Sequence, residues 1–434
     1  MSQATRPYAG QSDADRQQGG RSSRGLWLAL LLVLACVAVL LTVLPGDESD
    51  RKDGAACTAR TVGSWRAEPR PTDAFAAYGD DGARDDDWSG GDGTHSVRLP
   101  DGRVLWLFSD TFLGRVHEPP NLQGQPHKWR DGTAPMVRNS GVVMSRSGGV
   151  ERTLPTPLFA DPAPGQWRWP VAAKVEPRTP GGDEKVVRVL LWTRAAGPKP
   201  WIFGVPAATE VATLTLPDLA LEGITQIQDQ RGVADPEERV LYGTTTVDDG
   251  DHTYVFGGND AQTASRPSSH AYVARVPHGG LGDPAAWRYW NGSRWAPDGR
   301  AKPRRILGDG DQRGVGSAFT VVREGGTYVL FTMAAGAQGL TTVTSYWACS
   351  PTGPWHGPAK GFAPPLPRDR AANGDAAAYN PQAHAALSGD GRLVLSYDVN
   401  ALDATATAGG QARVNRNVEL YRPRFVSLRL ARPQ

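Results

Sequence analysis

The sequence predicts an all-β fold, a five-bladed β-propeller preceded by one N-terminal transmembrane helix. Three observations predict it: one long uncharged apolar run near the start, no sustained helical period after it, and a strand–turn–strand pattern that recurs five times.

The apolar run covers residues 26–44 and holds no charge. At 1.5 Å per residue, about 20 apolar residues cross the hydrocarbon core of a bilayer. Arg6, Arg16, Arg21 and Arg24 precede the run, and Asp47, Glu48 and Asp50 follow it. The positive-inside rule then places residues 1–24 in the cytoplasm as a polar, disordered tail. It makes 25–45 the plasma-membrane helix, 46–60 a linker and 61–434 the extracytoplasmic domain. A cleaved signal peptide is the alternative, but Leu41-Thr42-Val43-Leu44-Pro45 offers no small-residue cleavage site. Cys36 falls inside the apolar run, so Cys57 and Cys349 are the two cysteines left outside. An oxidising compartment permits them to form a disulfide, two free thiols being the other reading. Two cysteines cannot hold a disulfide scaffold, so a hydrophobic core must hold the domain.

Beyond residue 60 the apolar runs are short and rich in Val, Thr, Tyr, Phe and Trp, as strands require, and no helical period persists over three turns. A run with a small or polar start meets a Gly- or Asp-containing turn and returns as a strongly apolar strand. The copies pair 93–99 with 104–108, 169–175 with 186–192, 240–245 with 253–256, 316–322 with 328–331, and 379–384 with 393–397. Further strand-like runs follow most copies, as at 140–144, 210–216, 271–276, 343–347 and 419–430. Asn291-Gly292 between aromatic runs marks a tight hairpin turn. A lone four-stranded sheet cannot bury both faces, whereas sheets packed in a ring can. A β-sandwich is the alternative architecture.

Several functions are disfavoured. The formal net charge is +2, which gives no case for nucleic acid. Arg300, Lys302, Arg304 and Arg305 sit among Pro and Gly and read as a solvated loop. There is no G-x-S-x-G, H-E-x-x-H, Walker or dinucleotide motif, and residues 80–87 lack the Gly and closing Glu of an EF-hand loop. We therefore expect no metal and no cofactor. His95 and His384 are isolated and read as core histidines.

In a propeller, the starts of innermost strands and the ends of second strands converge on one mouth. The repeat thereby selects Asp92, Asp110 and Asp398 as candidate catalytic residues. It selects Asn139, Trp169, Arg194, Tyr242, Asp260, Tyr379 and Asn380 as candidate substrate-binding residues. Paired carboxylates suit glycoside hydrolysis, one protonating the leaving oxygen while the other activates water or attacks. Aromatic faces beside fixed hydrogen-bonding groups suit sugar rings. Asp92 and Asp110 fall on adjacent strands of one repeat, which makes their proximity the firmest geometric expectation. Turn capping by the aspartates and core packing by the aromatics are the competing structural roles.

The segment Gly90-Gly91-Asp92-Gly93, followed by Trp106-Leu107-Phe108-Ser109-Asp110-Thr111-Phe112, resembles a bacterial family catalogued as a domain of unknown function. The family pattern is G-x-D-G followed by W-L-F-G-D-T-F. The resemblance continues at Arg138-Asn139-Ser140, Trp169-Pro170 and Tyr379-Asn380-Pro381, and so spans most of residues 61–434. It implies a five-bladed propeller related to furanosidases, some relatives being endo-D-arabinanases that act on cell-envelope arabinan. It implies catalytic carboxylates at Asp92 and Asp110. Ser109 stands where the family has Gly. The third carboxylate of furanosidase propellers has two imperfect candidates, Glu176 and Asp398. The expectation is a monomeric cell-surface glycoside hydrolase acting on furanose polysaccharide. A non-catalytic glycan-binding propeller is the alternative, and a protein-interaction platform a weaker one.

Overall fold

The computed structural model describes residues 56–81, 84–260, 262, 269–300, 302–308, 314–333, 341–367, 376–401 and 413–433. The expected tail, membrane helix and first part of the linker lie outside the described residues. Among the described residues no helix is long and apolar enough to cross a membrane.

Strand β1 (Thr61–Ala67) leads into a twelve-residue helix, α1 (Pro69–Asp80). This helix corrects the expectation that no three-turn helical period exists. Its buried face is Pro71, Phe75 and Gly79, spaced four apart. Only one of the three is a large apolar residue, so the stripe is hardly visible as hydrophobic periodicity. Pro69 at the helix start needs no intrahelical N–H partner.

The chain then forms β2 (Trp88–Gly91), β3 (His95–Arg98), β4 (Val104–Phe108), β5 (Thr111–Leu113), β6 (Val116–His117), β7 (Trp129–Arg130), β8 (Met136–Val137), β9 (Ser140–Met144) and β10 (Val150–Thr153). Sheet I takes the order β10-β9-β4-β3, while β2, β5 and β8 make a small separate ribbon. Sheet II is β11 (Gln166–Pro177), β12 (Lys185–Ala195), β13 (Val205–Leu214) and β14 (Leu221–Asp229). Sheet III is β15 (Val240–Asp249), β16 (His252–Asn259), β17 (Ala271–Pro277), β18 (Arg288–Trp290) and β19 (Trp295–Ala296). Sheet IV is β20 (Thr320–Glu324), β21 (Thr327–Met333) and β22 (Val343–Ala348), with bridges from β22 to Phe362 and His356 on its outer edge. Sheet V joins β23 (Ala376–Ala383), β24 (Leu393–Ala401) and β25 (Arg424–Ala431) to β1.

All strand pairs within these sheets are antiparallel, and their succession follows the five sequence repeats. The first strands contact one another in turn: β3 on β11, β11 on β15, β15 on β20, and β20 on β23. Sheet V returns to sheet I through His384, whose Nδ1 lies 2.8 Å from Ser96 Oγ and whose ring lies 4.8 Å from that of Trp106. The apolar core divides accordingly, with one cluster between each neighbouring pair of sheets. Leu105, Leu107, Val187 and Val189 fill the I–II contact; Leu190, Trp192, Tyr242 and Trp287 fill the II–III contact. Phe75 of α1, with Trp106, Phe108 and Phe425, fills the I–V contact.

The start of the domain closes its end. Strand β1 pairs with β25, Thr61 opposite Ala431 and Ala67 opposite Val426, and so supplies the outermost strand of sheet V. Residues 56–60, expected as linker, are held against sheet IV. Thr58 bonds Thr327 through both its N–H (3.0 Å) and its carbonyl (2.8 Å). Cys57 and Cys349 are joined in a disulfide with a Cα–Cα distance of 5.6 Å across 292 residues. The bond fastens the beginning of β1 to the end of β22, so it limits how far the ring can open.

Cross-linking so long a segment constrains the unfolded chain strongly. The Cys57→Ser/Cys349→Ser double variant should therefore lose about 2–5 kcal/mol of stability. The denaturant midpoint of the domain measures this, and an unchanged midpoint would remove the disulfide from the closure.

Candidate active site

The sharp turn after Asp92 is imposed by Gly93. Its φ is +63°, and a Cβ there would lie 2.3 Å from Ser109 Oγ, so no other residue fits without displacing the neighbouring strand. Two backbone hydrogen bonds then couple the segments. Asp92 N–H donates to the Asp110 carbonyl at 3.2 Å, and Ser109 N–H donates to the Asp92 carbonyl at 2.7 Å. Asp92 and Asp110 are thus brought together by the chain itself, as the sequence predicts.

Their surroundings differ. Tyr379 donates its hydroxyl to Asp92 Oδ2 at 2.8 Å, and Tyr421 bonds the same carboxyl. Burial pushes the Asp92 carboxyl well above the usual carboxylate range, and the charges of Asp110 and Asp398 push it further. Asp110 accepts from Trp169 Nε1 at 2.9 Å and from Arg138 Nη1 at 3.0 and 3.2 Å. Burial raises this carboxyl too, with the Arg138 guanidinium as the largest opposing influence. Arg138 in turn lies over the Trp167 ring, 4.7 Å from its centroid.

A cavity of about 210 Å³ opens over Asp110, with Asp92 behind the residues that line it. Asp110, Phe112, Trp167, Trp169, Asn400 and Tyr421 line its inner part, with Met136, Arg138, Ile202 and Phe203 beside them. It is smaller than a pocket for a drug-sized ligand, roughly 300–1,000 Å³, and suits a short stretch of a longer molecule.

Several expected site residues have other work. Asp398 is fully buried. It accepts from Gly93 N–H at 2.7 Å, Thr94 Oγ1 at 2.6 Å and Asn380 Nδ2 at 3.4 Å. It therefore holds the turn behind Asp92 and cannot touch a ligand; this corrects its assignment as catalytic. Asn380, in a left-handed conformation with φ of +50°, serves that buried carboxylate too. Asn139 is fully buried, bonding the backbone of Phe159 and Arg168, so it is a structural clamp. Arg138, one residue earlier in the bend between β8 and β9, lines the cavity instead. Tyr242 lies in the II–III core against Trp287 and Tyr289. Glu176 is buried away from this site, accepting from Gly279 and Leu281 N–H groups at 3.2 Å each.

Arg194 and Asp260 form a buried ion pair. Arg194 also donates to the carbonyls of Phe203 at 2.6 Å and Gly204 at 2.8 Å, and its guanidinium covers the Trp169 ring at 5.2 Å. The pair supports the site without lining the cavity. His95 and His384 are buried, and burial takes both down to about 3, so they are neutral core histidines. Among the described residues, no group of three His, Cys, Asp or Glu side chains is placed to hold a metal ion.

Two residues escaped sequence reasoning. Nothing in the Arg138-Asn139-Ser140 segment singles out Arg138 from its neighbour. Tyr421 falls in the run 419–430 expected as a strand, but Val418–Tyr421 is a 3-10 turn and β25 begins only at Arg424, so no local pattern marks its role. It is held from below: a Cβ on Gly90 would meet Arg130 Nη2 at 2.2 Å and the Tyr421 carbonyl at 2.4 Å. Buried Arg130 and Arg422 both bond the Ser89 carbonyl, at 2.8 and 2.9 Å, and fix this floor.

No curated protein matches the chain. Among solved structures, a putative hydrolase from Bacteroides ovatus is 19% identical with a TM-score of 0.60, covering 84% of this chain and 90% of that one. That likeness shows a shared fold. An α-L-arabinofuranosidase from Podospora anserina in complex with cellotriose is 12% identical with a TM-score of 0.43, covering 80% and 92%. A GH43_1 enzyme from Xanthomonas citri complexed with xylotriose is 13% identical with a TM-score of 0.42, covering 82% and 92%. The model of a family described as a domain of unknown function, DUF5005, matches residues 76–430, and the chain belongs to that family.

Proposed function

We propose that the protein is a glycoside hydrolase built on a five-bladed β-propeller, cleaving a furanose-containing polysaccharide at the cell surface. The observation that carries this reading is the Asp92–Asp110 pair. Two carboxyl groups coupled through adjacent backbone have unlike partners, two phenols on one and a guanidinium with an indole N–H on the other. Such a difference separates an acid from a base. Asp92, beside phenols and two other carboxyls, keeps its proton and donates it to the glycosidic oxygen. Asp110, facing Arg138, is the carboxylate that activates water or attacks the sugar carbon. Trp169 fixes Asp110 through its indole N–H and gives the sugar an aromatic wall.

D-Arabinan is the substrate favoured by the resemblance of the Asp92 and Asp110 segments to a family with endo-D-arabinanase members. The disulfide suits an oxidising compartment outside the cytoplasm. We assign residues 25–45 as the anchor that keeps a monomeric domain at the plasma membrane.

Two outcomes test the reading on the fragment from residue 56 onward. Assayed for new reducing ends on arabinans, galactans and xylans, Asp92→Asn and Asp110→Asn should each lower kcat by about 10²–10⁴-fold. Glycan binding should survive. Binding by the wild type without any turnover would instead establish a glycan-binding propeller. The pH–rate profile should be bell-shaped. Activity falls on the acid side as Asp110 takes up a proton, and on the alkaline side as Asp92 loses its own. Arg138→Ala removes the cation that lowers Asp110, so the acid limb should move to higher pH. An unmoved acid limb would exclude Asp110 as the base.

A further inference from the structure

Arg138 is held in place without being used up. Its Nη1 donates to both Asp110 oxygens, at 3.0 and 3.2 Å, and its guanidinium lies over the Trp167 ring. These contacts fix the group along one edge and on one face. Its Nε and Nη2 meet no acceptor among the described residues. The side chain is 40% exposed and lines the cavity.

No other arginine of the site is placed this way. Arg130, Arg194 and Arg422 are buried and stand outside the cavity wall. Arg138 is therefore the one guanidinium of that wall among the described residues. A planar charged donor whose rotamer is already fixed gives up little freedom when it meets a ligand.

The surroundings decide which acceptor suits it. Asp110 lies 3.0 Å from the guanidinium and already balances its charge. A second anion at the same group would face Asp110 as a like charge, whereas a neutral hydroxyl would not. Asn400, in the same wall, adds an independent reason. Its buried Oδ1 accepts from no group. Buried polar atoms are nearly always paired, so an orphan beside a cavity points to a donor brought by the ligand. A hydroxyl accepts from a guanidinium and still has a proton to give; a carboxylate or a phosphate dianion has none.

We infer that Arg138 is a specificity-determining residue, donating from Nε or Nη2 to a free hydroxyl of the sugar held beside Asp110, so that the substrate carries that hydroxyl and its deoxy analogue is rejected. The inference rests on the hydrolase reading of the same cleft. It gives Arg138 a duty separate from its influence on the Asp110 proton. That influence acts on every substrate, whereas the hydroxyl contact acts only on substrates that carry the group.

The separation supplies the test. 4-Nitrophenyl α-D-arabinofuranoside and its 2-, 3- and 5-deoxy analogues are compared by kcat/KM in the wild-type protein and in Arg138→Met and Arg138→Lys, each at its own pH optimum. Thermal unfolding confirms that the variants are folded. The wild type should reject one deoxy analogue at least about tenfold more strongly than either variant does. The other two analogues should lose alike in all three proteins. Arg138→Lys keeps a cation beside Asp110 without the donor fork, so it should lose the discrimination while its acid limb stays near the wild type's. Equal discrimination by wild type and both variants overturns the inference and leaves Arg138 acting on Asp110 alone. Inorganic phosphate is the anion arm: competitive inhibition that Arg138→Met abolishes, with discrimination unchanged, makes an anion the ligand and also overturns it. Where no furanoside is cleaved, the methyl glycosides of the same series are titrated by tryptophan fluorescence. A deoxy penalty in binding that Arg138→Met removes then supports the hydroxyl contact while refuting hydrolysis, and the absence of any penalty overturns both.

Discussion

Asp398 is the fixed point of the site. One fully buried carboxylate from sheet V reaches across 305 residues to a backbone N–H and a hydroxyl of the turn that presents Asp92. The contact is at once a seam between the last and first sheets and the base of the candidate acid. It is costly to keep ionised. Burial raises the Asp398 carboxyl to about 6, although three donors stabilise its charge. The linkage follows from that upward shift: this group's stabilising contribution is full below the ordinary Asp range and is lost as pH rises through about 6. A geometry that places a third carboxyl behind Asp92 therefore sacrifices some neutral-pH stability, and the same charge helps keep Asp92 protonated.

Electrostatics within the cleft then depend on where cations are admitted. Arg138 reaches Asp110, and among the described residues no comparable cation reaches the Asp92 carboxyl, which the hydroxyls of Tyr379 and Tyr421 bond. Arg130 and Arg422 lie beneath the turn but spend their donors on the Ser89, Val414 and Asp80 oxygens. Each guanidinium is thus spatially assigned, and the asymmetry between the two carboxyls follows from side-chain placement on neighbouring strands rather than from either residue's own identity.

What was legible in the sequence follows a physical line. Short apolar strand runs and Gly/Asp turns are local, so the five sheets and the Asp92–Asp110 coupling, made within one repeat, are legible directly. The α1 helix could not, because its packing face uses Pro71 and Gly79 where a hydrophobic stripe would use large side chains. Side-chain direction was the weaker inference. In the short connection between β8 and β9, Arg138 lines the cavity while Asn139 turns into the core, a difference no local pattern encodes. Tyr242 occupies a strand start yet points between sheets, and Asp260 at a strand end meets Arg194 in a buried pair. Tyr421 required the tertiary fold, since only the arginine-held floor beneath Gly90 brings its 3-10 turn to Asp92.

The residues displaced from the ligand list form a second layer with a logic of its own. Arg194 and Asp260 are buried charges, and a buried pair contributes little net stability compared with apolar packing of the same volume. Their placement is better understood through what Arg194 touches: two carbonyls of the Ile202–Phe203 turn and the face of Trp169. A rigid fork of donors sets both the aromatic wall beside Asp110 and the apolar rim outside it. Shape at the cleft is therefore governed by one guanidinium that no ligand meets. Losing it would free the rim and the indole together, coupling recognition at the edge to the position of the carboxylate inside.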